Sequence, residues 1–174
     1  MNSLLSRANA VFAYTLSVLA ALTFLCFLST AFKSKLTPVS VTSSDVVLKK
    51  AYMSGNMVND LAYLTIDFKA DFSSLFDWNT KQLFIYIFAE YSTADNPVNQ
   101  VVLWDKIMLR GEKAEIDYKD LSAKYPFFDD GIGLKGNKNV SLVVSWNLIP
   151  DAGMLPLISG GHFSVPFPNE YHQQ

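Results

Sequence analysis

Few residues of this sequence are of the types that most often carry catalysis. It has two histidines, His162 and His172, and one cysteine, Cys26. Serines and aspartates are numerous, so counting leaves open a Ser/His/Asp set with His162 as general base. However, the chain contains neither a G-x-S-x-G nucleophile elbow nor an H-E-x-x-H metal motif. We therefore predict no catalytic set, with His162 as a loop or packing residue and His172 in a frayed terminus.

A glycine-rich segment invites a cofactor or metal hypothesis that its context does not support. Residues 131–136 read G-x-G-x-x-G, and Asp151 follows at the distance of a ribose-binding acid. A dinucleotide site needs a helix after these glycines, whereas a strand-like pattern follows here. Asp129 and Asp130 lack the alternating oxygens and final Glu of a calcium loop. His162 and Cys26, which lies in the apolar run, are too few of the ligands that zinc prefers. We predict a turn, with no cofactor and no metal.

A long uncharged segment near the N-terminus predicts a membrane anchor. No charge interrupts Ala8 to Phe32, and Arg7 and Lys33 flank the run. As a helix it would be about 37 Å long, against a hydrocarbon core of about 30 Å. A cleaved signal is the alternative, since the residues at 29–31 are small, but its apolar region would be only about 7–15 residues long. We expect residues 1–7 to form a tail too short to fold, 8–32 an uncleaved anchor helix and 33–174 the working domain.

One glycosylation sequon bears on which side of the membrane that domain occupies. Asn139-Val140-Ser141 fits N-x-S/T, whereas Asn96 is followed by Pro97. The flanking charges of the anchor are nearly balanced, so the positive-inside rule contributes little. We predict a glycan on Asn139 and a lumenal or extracellular domain.

The remainder of the chain has the two-residue period of β-strands. In 61–70, alternate residues from Leu64 to Ala70 are apolar, and in 140–148 the apolar residues run from Val140 to Leu148. The intervening serines and Asn147 should face outward, as should Asn139, which shares their parity.

Residues 82–91 are apolar on both faces. This favours a central strand covered on both sides, although the second face could instead contact another protein. Further strands are expected at 99–109, 39–49 and 163–167, with a short helix at 116–124 and turns at 77–79, 95–97 and 129–139. The fold class is mainly β: one transmembrane helix, then an antiparallel β-sandwich-like domain.

Charge argues against a nucleic-acid partner. The net charge is −2 and the Lys and Arg residues are scattered, whereas a nucleic-acid binder would show a basic stripe.

Several segments, taken in order, resemble the signal peptidase complex subunit 3 family of the eukaryotic endoplasmic reticulum. They lie at residues 5–9, 76–79, 81–84, 89–91, 99–107, 109–111, 127–140 (FFDDGIGLKGNKNV), 145–147 and 164–168. The resemblance implies a single-pass type II protein of the endoplasmic reticulum membrane with a lumenal C-terminal domain and a glycan at Asn139. It also implies a non-catalytic accessory role in signal peptide processing.

The implied partners are the catalytic subunit, two small membrane subunits and the lipid bilayer, with signal-peptide-bearing precursors as a further candidate. The Ser-Met-x-Pro motif of the catalytic subunits is absent from this sequence. Two other hypotheses stay open at this point: a membrane-tethered β-sandwich that binds secretory cargo or glycans, and a hydrolase with His162 as base.

Overall fold

The computed structural model describes residues 3–52 and 58–172, so the first two residues of the predicted tail and the last two of the predicted domain lie outside it. The N-terminal helix, α1, spans Leu4–Ala31. Ser3 caps it, because its side-chain oxygen accepts a hydrogen bond from the Ser6 N–H at 3.2 Å.

Helix α1 is apolar, and its contacts with the sandwich described below come from its last turns. Its most apolar window has a mean hydropathy of 2.2 and none of it is buried in the protein; within the described residues it is the one helix that could span a membrane. The hydroxyls of Thr15, Ser17 and Thr23 each donate to the carbonyl four residues earlier. These polar groups are therefore satisfied without water, as a bilayer requires.

In the described part of the chain, eight strands form two antiparallel sheets after the helix. They are β1 (Val39–Tyr52), β2 (Val58–Asp71), β3 (Thr80–Tyr91), β4 (Asn99–Leu109), β5 (Glu115–Ser122), β6 (Phe127–Phe128), β7 (Ser141–Pro150) and β8 (Leu157–Ser164). Sheet A has the order β1-β2-β5, with β6 also paired to β2, and sheet B has the order β4-β3-β7-β8. A single 3-10 turn, Ser73–Leu75, lies between β2 and β3.

The core lies between the inner faces of the two sheets. Ile66 of sheet A and Ile85 of sheet B are fully buried, as is Trp146. Phe72 meets Trp146 edge-on at 5.5 Å between ring centroids. Burying each such side chain contributes about 1.5–3 kcal/mol, so this sandwich core supplies most of the stability of the domain.

Most strand predictions are confirmed. The predicted strand at 99–109 has the bounds of β4, and the apolar residues of 61–70 and 140–148 that were expected to face inward are all buried. The turns at 77–79, 95–97 and 129–139 lie outside the regular strands. The glycine-rich segment is followed by strand β7. A dinucleotide site would need a helix at that position.

Three local predictions are wrong. The helix predicted at 116–124 is instead strand β5 up to Ser122, because β2 offers an open edge and Ile116 is buried opposite Ala70. Ser145 was expected to be exposed but is 1% exposed, since it lies between β3 and β8 and shares a 2.6 Å hydrogen bond with Ser159. The last strand is Leu157–Ser164, so it ends where the predicted strand at 163–167 had begun.

The favoured interpretation of 82–91 is also only half right. Strand β3 is central, with β4 and β7 on either side. Its inner residues Leu83, Ile85 and Ile87 are fully buried, whereas on the outer face Phe84 and Tyr86 are only partly buried and Phe88 is 9% exposed. No second layer of the described chain covers that face completely.

Candidate functional site: the helix junction, the acidic pair and the sheet surfaces

A buried asparagine joins the end of α1 to the sandwich. Asn79 is 3% exposed, and its side-chain amide donates to the Thr30 hydroxyl at 2.8 Å and to the Ala152 carbonyl at 2.9 Å. Its carbonyl oxygen accepts from the Ala152 N–H at 3.0 Å and from the Cys26 thiol at 3.4 Å. One side chain thus connects the last turns of the helix, the turn before β3 and the loop after β7.

Charged groups reinforce this junction at its rim. Lys33, just beyond the helix, pairs with Asp77 at 3.1 Å. Partial burial raises the pKa of Asp77, but hydrogen bonds from Lys33, the Asn79 N–H and Thr80 outweigh it and hold this pKa below 3.8. The Arg110 guanidinium donates to the carbonyls of Asp77, Trp78 and Thr80. These contacts fix the turn that carries Asn79.

The connector after α1 is tied down as well. The indole N–H of Trp146 donates to the Lys35 carbonyl at 3.2 Å, and the Thr37 hydroxyl donates to the Asp71 carbonyl. A cavity of about 250 Å³ remains between the helix end and the sandwich, lined partly by Phe27, Lys33 and Leu155. Hydrogen bonds therefore tie the end of α1 and the connector after it to the sandwich.

Two buried carboxylates organise the glycine-rich segment. Asp60 is fully buried and Asp129 is 2% exposed. Asp60 accepts hydrogen bonds from the Leu134 and Lys135 N–H groups and, at 3.0 Å, from the Tyr171 hydroxyl. Asp129 accepts hydrogen bonds from the Gly133 N–H and, at 2.6 Å, from the Tyr91 hydroxyl. The burial of Tyr91 raises its pKa, and the hydrogen bond to Asp129 raises this pKa further. These acids are satisfied by the fold, so their role is to fix the loop.

The predicted glycan acceptor lies on the far side of that loop. Asn139 is exposed, as its parity predicted, and Val140 beside it is fully buried. Its backbone N–H donates to the Asn137 side chain at 2.8 Å, and Asn137 in turn holds the Ser92 and Gly133 carbonyls. The side chain of Asn139 is therefore accessible to solvent, and hydrogen bonds hold the loop that carries it.

The residues weighed for catalysis are not brought together. His162 is exposed on β8 opposite Val143, and Cys26 lies in α1. The prediction that His172 is frayed is wrong, because its backbone N–H donates to the Leu48 carbonyl. Within residues 3–52 and 58–172, no three His, Cys, Asp or Glu side chains are placed to hold a metal ion.

The outer faces of the two sheets differ in character. The outer face of sheet A is polar, with Lys69 and Asp117 paired at 3.4 Å across β2 and β5. On sheet B, Phe84, Tyr86 and Phe88 stack along β3 with centroids 5.4 and 5.8 Å apart. Ile107 of β4, opposite Phe84, is 54% exposed. An apolar sheet face of this kind is typical of a protein contact.

Sequence reasoning missed the roles of Asn79 and Asp60. Asn79 was assigned to a turn on composition alone, and Asp60 was outside the predicted strand, although it continues β2. Each of these polar residues adjoins a strongly apolar strand, which could have indicated that it is buried. Their hydrogen-bond partners could not be predicted, because Thr30 is 49 residues from Asn79 and Leu134 is 74 residues from Asp60.

Comparison with known proteins gives one consistent result. The family profile SPC22, signal peptidase subunit, matches residues 1–170. The chain is 57% identical to signal peptidase complex subunit 3 of Gallus gallus, 55% to that of Homo sapiens and 49% to that of Drosophila melanogaster. Each alignment covers 98% of this chain and 97% of the relative.

Proposed function

The chain belongs to the signal peptidase subunit family, and from that membership we propose that it is a non-catalytic accessory subunit of a signal peptidase complex. The match over nearly its whole length is the observation that carries the proposal. In this role the protein supports removal of signal peptides from secretory precursors by a separate catalytic subunit.

The arrangement of side chains supports the non-catalytic part. A serine peptidase needs a nucleophile and a base within hydrogen-bond reach. His162 is exposed on the outer side of β8. The buried acids Asp60 and Asp129 already accept hydrogen bonds from tyrosine hydroxyls and backbone N–H groups. The chain therefore contributes position and surface, and its partner contributes the chemistry.

The protein is a single-pass membrane protein, and we place it in the endoplasmic reticulum membrane as type II. Residues 1–7 are then the cytosolic tail, 8–32 the signal anchor and 33–174 the lumenal domain. The exposed Asn139 sequon supports this orientation, because its acceptor is modified only on the lumenal side.

The apolar outer face of sheet B is the surface that we assign to the catalytic subunit. A lasting subunit contact needs an apolar centre, which Phe84, Tyr86 and Ile107 offer on this face. Its ion pair, Asp105 with Lys124 at 2.8 Å, lies on the edge strand β4, whereas the Lys69–Asp117 pair of sheet A joins β2 to β5. Two small membrane subunits complete the complex and are expected to contact α1.

The test is purification of the tagged full chain from microsomes in mild detergent, with identification of the bound proteins and assay of signal peptide cleavage. We expect a serine peptidase subunit and cleavage activity that stays within a few-fold of wild type in His162→Ala. A true general base contributes about 10²–10⁴-fold, so a large loss would identify the chain as the hydrolase. Recovery of secretory cargo without a peptidase would favour the cargo-binding hypothesis.

A further inference from the structure

The loop between β7 and β8 lies beside the membrane-spanning part of α1. A Cβ atom built on Gly153 would be only 2.6 Å from Cδ2 of the Phe27 ring, so loop and ring are in close contact. Gly153 has a φ of 123°, a backbone conformation that side-chain-bearing residues rarely adopt, and this lets the loop approach the helix.

This contact sets the depth of the loop. Phe27 precedes the helix end at Ala31 by four residues, which is about 6 Å along the axis. Helical side chains lean toward the N-terminus, which takes the Phe27 ring deeper still. The charge-free run that ends at Phe32 is about 37 Å long, less than the 40–45 Å of a bilayer with its headgroups. Gly153 is therefore level with the bilayer and not above it.

The composition of the loop suits that depth. Residues 152–158 carry no charge, and Met154, Leu155 and Leu157 are 73%, 61% and 63% exposed. The acid that precedes them, Asp151, is 3.5 Å from the Arg110 guanidinium. The backbone N–H and carbonyl of Ala152 are both bonded to Asn79. The loop thus presents apolar side chains while part of its backbone is already satisfied.

From these observations we infer that the 152–157 loop inserts Met154 and Leu155 into the interfacial layer of the bilayer, as a second membrane contact beside α1. The inference rests on the proposed membrane placement of α1. The lipid surface is the occupant because Met154 and Leu155 line one cavity with Phe27 and Ala31 of the apolar helix and are themselves uncharged and exposed. With two contacts, the sandwich cannot swing about the end of α1.

Depth-dependent quenching tests this contact directly. In a Cys26→Ser background, an environment-sensitive dye is attached at Leu155→Cys, at Leu19→Cys in the middle of α1, and at Ile132→Cys. The three native side chains are 61%, 54% and 66% exposed, so labelling should be equally tolerated. Ile132 precedes β7, whose other end leads into the loop, so it is about 30 Å farther from the helix end.

The labelled full chain is reconstituted in phosphatidylcholine vesicles that contain spin-labelled lipids, and is also measured within the purified complex. We expect the dye at 155 to emit at shorter wavelength than the dye at 132 and to lose most of its intensity to a quencher near the headgroups. The dye at 19 should respond to a quencher near the bilayer centre, and the dye at 132 to neither.

Each other outcome overturns a defined statement. Quenching at 19 with water-like emission at 155 would leave the anchor intact and refute the loop contact. Absence of quenching at 19 would refute the anchor itself. Quenching at 155 in vesicles that disappears in the complex would show that a protein subunit covers the loop, and would refute the lipid contact.

Discussion

At the scale of residues, Asn79 carries more of the junction than any charged pair at its rim. Its four hydrogen bonds are within or near a buried site, and losing the partners of a buried polar group costs about 1–3 kcal/mol. We predict that Asn79→Ala lowers the Tm of the detergent-solubilised chain by several degrees, at about 2–4 °C per kcal/mol. The exposed Asn169→Ala is the matched control, and an equal effect of the two variants would argue against the junction.

Asn139 provides a test of orientation at the same scale. In sealed microsomes the wild-type chain should show a glycosidase-sensitive mobility shift that Asn139→Gln abolishes. Asn96→Gln is the control, because Pro97 makes Asn96 a poor acceptor. Digestion of the domain by protease added outside the vesicles would reverse the proposed topology.

At the scale of elements, α1 is a helix long and apolar enough to span a membrane, as the uncharged run predicted. A central Arg costs about 2.5–3.5 kcal/mol on insertion scales, so Leu19→Arg should move the protein out of the carbonate-washed membrane pellet. Leu4→Arg, at the start of the helix, should remain in the pellet. A mature N-terminus at Phe32 would instead mean that the segment is a cleaved signal.

The outer face of sheet B is the second element with a clear test. Ile107→Lys would place a charge in the proposed contact and should weaken retention of the catalytic subunit by on the order of tenfold, equivalent to about 1.4 kcal/mol. Tyr63→Lys on the outer face of sheet A replaces a side chain of similar exposure, 52% against 54%, and should retain the partner. Equal loss in both variants would remove sheet B as the assigned surface.

Strands were predictable where one face is buried and the other solvated. In β2 that alternation is regular, and the bounds of β4 followed from turn residues on either side. Strand β5 was missed because its conformation depends on pairing with β2, a segment about 50 residues earlier. Ser145 was misjudged for a similar reason: its burial is produced by neighbours on other strands and not by its own parity.

At the scale of the whole molecule, the sequence predicted the apolar helix and the mainly β fold but not how they are joined. The Asn79 network links residues that are 49 to 73 positions apart, and no local pattern encodes it. The buried acids Asp60 and Asp129 are similar, since an acidic residue near a turn is ordinarily solvated. The result is a sandwich whose turns are tied to the end of the apolar helix.

Depletion of the chain from cells, with signal peptide cleavage and abundance of the catalytic subunit measured together, tests the central claim most directly. A subunit that binds only the folded form of its partner stabilises it by mass action. We predict that depletion leaves uncleaved precursors and lowers the amount of the catalytic subunit, and that His162→Ala restores both as well as the wild-type chain does. Normal cleavage and normal abundance after depletion would contradict the account.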